Sequence, residues 1–86
     1  MENRTNSGYT IINAYKIGNA EFVLGYNENA PSPYVTWRCE NDDNYYWGHY
    51  FDDRVQAEKD FLNRGLQEVE SVENVHHKPK KKEMER

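Results

Sequence analysis

The chain has 86 residues, of which 30% are charged, 36% apolar and 14% aromatic, with a net charge of -4 and a mean hydropathy of -1.17. That length holds one small core and excludes a second domain, while so high a ring content excludes a disordered chain. No stretch approaches the roughly 18–20 apolar residues of a membrane span, and the lone Cys39 can make no internal disulfide. No apolar run follows Met1, so no signal peptide is expected, and a reducing cytoplasm is the natural setting.

Residues 1–7, MENRTNS, read as a flexible polar end. YTIINAYKI, residues 9–17, is rich in β-branched and aromatic residues and predicts a strand. Gly18-Asn19 supplies a tight turn, and AEFVLGY, residues 20–26, returns as the second strand with Phe22 and Leu24 on one face. NENAPSP, residues 27–33, is a loop, because Pro31 and Pro33 cannot donate to a ladder. YVTWRCE, residues 34–40, predicts a third strand with Val35, Trp37 and Cys39 on one face. NDDN, residues 41–44, is dense in turn formers, and NYYWGHYF, residues 44–51, reads as the fourth strand.

Asp53 is placed to cap a helix, with Gln56 three residues on. Val55, Phe61, Leu62, Leu66, Val69 and Val72 share one arc of that helix, with Gly65 inside it to admit a sheet ring. Glu58 lies in the same arc, near the helix start where a carboxylate suits the dipole. The pattern fades near Glu73, so residues 74–86 read as a disordered charged tail and residues 8–73 as the domain. The expected architecture is α+β: a four-stranded antiparallel meander of two hairpins with one C-terminal helix packed on one face.

If the NDDN loop sets Glu40 opposite Tyr45, then Cys39 faces Tyr46, Trp37 faces Gly48 and Val35 faces Tyr50 on one side. The other side carries Arg38 opposite Trp47, Thr36 opposite His49 and Tyr34 opposite Phe51. The first set suits the helix-covered core, with Trp37 lying over the bare backbone of Gly48. The second then forms an exposed strip of rings, with Arg38 stacked on Trp47. Rings on an open face can also simply interlock as cross-strand pairs that shield the backbone.

Catalysis has little support: His49 has no partner at a telling spacing, and Cys39 in a strand reads as a small buried side chain. His76 and His77 beside a lysine run lack the paired spacing of zinc ligands, so neither metal nor cofactor is expected. Charge decides between the remaining partners. Residues 21–73 carry twelve acids against Arg38, Arg54, Lys59 and Arg64, a net of -8. A stacking platform for single-stranded nucleic acid needs a positive groove, so nucleic-acid binding is expected to be weak at most, though it is the alternative function. An acidic surface with rings suits a basic protein surface instead. The expected contact residues are Tyr34, Arg38, Tyr45, Trp47 and His49 on the strip, with Asp42 and Asp43 as steering charges on the turn.

The segments NENAPSPYVTW and NYYWGHYFDDRVQAEKDF resemble small proteins encoded on plasmids, phages and conjugative elements of low-GC Gram-positive bacteria. The resemblance spans residues 9–72 and assigns no residue a role. Such acidic proteins include anti-CRISPR inhibitors, which occupy the nucleic-acid-binding surfaces of RNA-guided nucleases. The resemblance therefore implies a non-enzymatic inhibitor of a nucleic-acid-processing enzyme, its partner a CRISPR-associated nuclease in the sharpest case.

Overall fold

A computed structural model describes residues 4–77. The fold is α+β, with an antiparallel sheet and one C-terminal helix, but the sheet has five strands rather than four. Strands β1 (Thr5–Asn6), β2 (Tyr9–Ile17), β3 (Ala20–Tyr26), β4 (Tyr34–Glu40) and β5 (Asn44–Phe51) lie side by side in chain order, followed by helix α1 (Arg54–His77). The extra strand comes from residues expected to be loose. Ser7 and Gly8 both take left-handed backbone (φ 54° and 87°), which closes a two-residue turn and pairs Asn6 with Tyr9. The helix runs four residues past the expected end at Glu73, and the expected tail from residue 78 lies outside the described residues. Among the described residues no helix is long and apolar enough to cross a membrane.

The hairpin of β2 and β3 follows the sequence reading, with Ile17 opposite Ala20 across Gly18-Asn19 and Gly18 at φ 59°. At the start of α1, the Asp53 carboxylate accepts the backbone N–H of Gln56 at 3.1 Å, the expected cap.

The faces of the sheet are the reverse of the expected assignment. α1 packs on the side of Ala20, Phe22 and Leu24, where Ala57 and Phe61 complete a buried cluster edged by Tyr15, Ile17, Tyr34 and Phe51. Thr36, Arg38 and His49, expected on the open side, therefore face the helix. The helix is turned accordingly: Ala57, Phe61 and Gly65 are buried, whereas Val55, Leu62, Leu66 and Val69 are exposed. Small residues explain the choice. Gly65 lies where a Cβ would come within 2.7 Å of Tyr15 Cζ, so α1 can sit close enough for the Tyr15 hydroxyl to donate to the Phe61 carbonyl.

The face without the helix is a second core. Tyr9, Val23, Val35, Trp37 and Cys39 are buried there, with Ile11, Ala30 and Tyr45 packed against them. The sheet curls, since Tyr9 of β2 meets Tyr50 of β5 with centroids 6.2 Å apart, and Trp37 lies between Tyr9 (5.6 Å, edge-on) and Tyr45 (5.6 Å). The 27–33 loop closes over this face, tied by the Tyr9 hydroxyl to the Ser32 carbonyl at 2.7 Å. Most of the surplus rings are thus interlocked, doing the work of a missing second helix.

One end of that core is held by a residue expected to be loose. Arg4 donates from Nη1 and Nη2 to the buried Glu21 carboxylate (2.9 and 2.8 Å) and from Nε to the Tyr45 hydroxyl (2.8 Å). The Arg4 hydrogen bonds hold the Glu21 carboxyl below the usual range against the opposing effect of burial.

Gly48 sits beneath Trp37 as the sequence suggested, and a Cβ there would come 2.8 Å from Trp37 Nε1 and 3.1 Å from Tyr50 Cε1. Gly48→Ala is expected to cost about 1–3 kcal/mol by overpacking, measured by urea denaturation.

Candidate functional site

The β4–β5 hairpin departs from the expected register at its turn end. Tyr34, Val35 and Thr36 do face Phe51, Tyr50 and His49, but Arg38, Cys39 and Glu40 face Tyr46, Tyr45 and Asn44. Two facts reconcile the ends. The turn uses three residues, 41–43, with Asn41 and Asp42 at φ 57° and 70°, a conformation these side chains tolerate. A bulge then sets both Trp47 and Gly48 against Trp37, which restores the register at His49.

The bulge decides where each ring points. Tyr45, expected beside Trp47, lies on the other face against Trp37 and Arg4. Trp47 takes φ 55°, a left-handed conformation that is an outlier for a bulky aromatic residue, and is 68% exposed. Its neighbours hold it there. Tyr46 meets its ring at 4.9 Å and the Arg38 guanidinium lies 5.9 Å from its centroid. The Arg64 Nη2 of α1 donates to the Trp47 carbonyl.

A polar network lies behind this ring. Arg38 spans Phe22 (5.7 Å) and Trp47 and donates from Nη1 to Glu68 at 2.9 Å. Asp60 gathers the Thr36 hydroxyl (2.5 Å), His49 Nδ1 (2.9 Å) and Arg64 Nε (3.2 Å). Burial alone would raise the Asp60 carboxyl, but the Thr36 and His49 hydrogen bonds and the nearby positive charges outweigh it and hold it low. Burial pulls the Arg64 guanidinium down. Together Phe22, Arg38, Trp47, His49, Arg64, Gln67 and Glu68 line a shallow cavity of about 260 Å³.

Of the expected contact residues, Arg38, Trp47 and His49 are therefore brought together on the flank of α1. Tyr34 is at the far end of the same face, its ring tilted against that of Tyr26 at 5.0 Å and half-buried in the helix-side core. Asp42 and Asp43 are exposed on the turn. Sequence reasoning missed Asp60, Arg64 and Glu68, although their i, i+4, i+8 spacing puts three charges in one row of a helix.

His49 is oriented by Asp60, and the Thr36 hydroxyl donates to the same carboxylate. Burial pushes the Cys39 thiol up, away from a reactive thiolate. Among the described residues no group of three or more His, Cys, Asp or Glu side chains is arranged to hold a metal ion. Comparisons with protein-family models, curated proteins and solved structures find no match to this chain.

Proposed function

We propose that this is a non-enzymatic binding protein that docks on a basic protein surface through Trp47. The observation that carries the reading is Trp47 itself: two-thirds exposed, in a backbone conformation costly for its type, and braced by Arg38 and Arg64. Strain of this kind is of order 1–3 kcal/mol and persists where surrounding contacts enforce it, commonly at functional sites. Asp42, Asp43 and the further acids of residues 21–73 supply the steering field, and Arg38 and Arg64 are already matched by Glu68 and Asp60. In its sharpest form the protein inhibits a nucleic-acid-processing enzyme, such as an RNA-guided nuclease, by occupying the basic groove that holds nucleic acid. The setting is a reducing cytoplasm, in keeping with one free, buried cysteine.

A second reading, a module that stacks single-stranded nucleic acid on Trp47, draws on the two arginines beside the ring. The net charge of -8 across residues 21–73 opposes it.

Trp47→Gly separates function from fold. Glycine takes left-handed backbone freely, and that relief offsets the lost ring contacts, so stability is expected to change by no more than about 1 kcal/mol. Capture of basic proteins from a nuclease-treated lysate of a low-GC Gram-positive bacterium is expected to fall about 30-fold or more. Charge reversal at Asp42 and Asp43 should slow association and flatten its salt dependence. Capture unchanged by Trp47→Gly would sink the proposal.

A further inference from the structure

Val55, Leu62, Leu66 and Val69 are 61%, 63%, 56% and 36% exposed. At 100° per residue they fall within about 60° of arc and run for about 21 Å along α1. The sheet does not use this stripe, because α1 meets it through Ala57, Phe61 and Gly65. The charges beside it are ordered. Lys59 and Glu70 lie on one flank, both exposed, and neither makes an ion pair among the described residues.

We propose that a second copy of this chain covers the stripe, the two α1 helices packing antiparallel about a two-fold axis near residue 64. In that arrangement Leu62 of each copy meets Leu66 of the other, and Val69 packs on the stem of Lys59. Antiparallel helices pair the same flank with itself, so Lys59 of each copy meets Glu70 of the other and two equivalent ion pairs form. In a parallel pair this flank would face the other flank of the partner and Lys59 and Glu70 would not meet, so the charge order fits the antiparallel form. A single helix pair is at the low end of specific interfaces, which places the dissociation constant in the micromolar range, about 1–100 μM. Arg64 and the Trp47 surface lie on the opposite flank of α1, so the dimer presents both binding surfaces outward. The dimer does not depend on what Trp47 binds.

Sedimentation of the full chain from about 1 μM to about 1 mM tests this. A monomer–dimer equilibrium is expected. Lys59→Glu and Glu70→Lys should each weaken it about tenfold, and the double variant, which restores the opposite-charge pairs, should recover it. Leu62→Glu with Leu66→Glu should abolish it while circular dichroism stays unchanged, since both side chains are exposed. A monomer throughout the range, or a dimer in which the charge swap restores nothing, overturns the proposal.

Discussion

Phe61→Ala is expected to lower stability by about 3–5 kcal/mol, out of about 4–13 kcal/mol for a domain of this size. Phe61 is 2% exposed at the centre of the helix-side core, with the Tyr15 ring 4.8 Å away edge-on and the Phe22 and Leu24 side chains in the same cluster. Truncating it leaves a cavity between a sheet and a helix held apart by their other contacts, so collapse is incomplete. Leu62→Ala, one position along, should change stability by no more than about 0.5 kcal/mol, because Leu62 faces solvent in the monomer. Thermal melts of the two variants at low concentration read the rotation of α1 directly. A larger loss for Leu62→Ala would place the apolar stripe against the sheet.

The second large effect is expected at the N-terminal edge. Arg4→Ala leaves the Glu21 carboxylate buried without its cation, and the Tyr45 hydroxyl without a donor. The side chain of Arg4 is 33% exposed, so water softens the penalty, and a loss of about 3 kcal/mol is expected. The sign with pH follows from Glu21. Its carboxyl is held low by Arg4, so the pair contributes stability above the unfolded value, about pH 4.3, and loses it as pH falls toward the folded value. In Arg4→Ala that hold is gone and burial is opposed only by Cys39 and Lys16, so the carboxyl lies higher than in the parent protein and the variant loses less stability on acidification. The gap between the two proteins in urea should therefore narrow from pH 7 to about pH 4. A gap independent of pH would mean that Arg4 acts by packing alone.

Local chemistry was legible in the chain. The Gly18-Asn19 turn, the Asp53 cap, Gly48 under Trp37 and the small Gly65 facing a ring each depend on residues whose conformational limits are intrinsic. The helix face was not, because counting apolar residues favours Val55, Leu62, Leu66 and Val69, whereas the sheet selects the face that can approach closest. The bulge was hidden as well. Tryptophan has no preference for left-handed backbone, so nothing in NYYWGHYF marks Trp47 as the place where the register is reset. Arg4 and Glu21 are 17 residues apart, and no local spacing rule pairs them. At the site, Trp47, Arg38 and His49 were found through strand alternation, while Asp60, Arg64 and Glu68 come from an element whose orientation period alone did not fix.

The claim that Trp47 is the contact residue is tested most directly by acrylamide quenching of tryptophan fluorescence. Trp37 is 4% exposed and Trp47 is 68% exposed, so quenching of the free protein reports Trp47. With the captured basic protein bound, quenching should fall to the level of Trp47→Gly, which retains only Trp37; a single-stranded oligonucleotide at the same concentration should leave it unchanged. Protection of Trp47 by the oligonucleotide, or a bound protein partner that leaves Trp47 fully quenchable, would contradict the account.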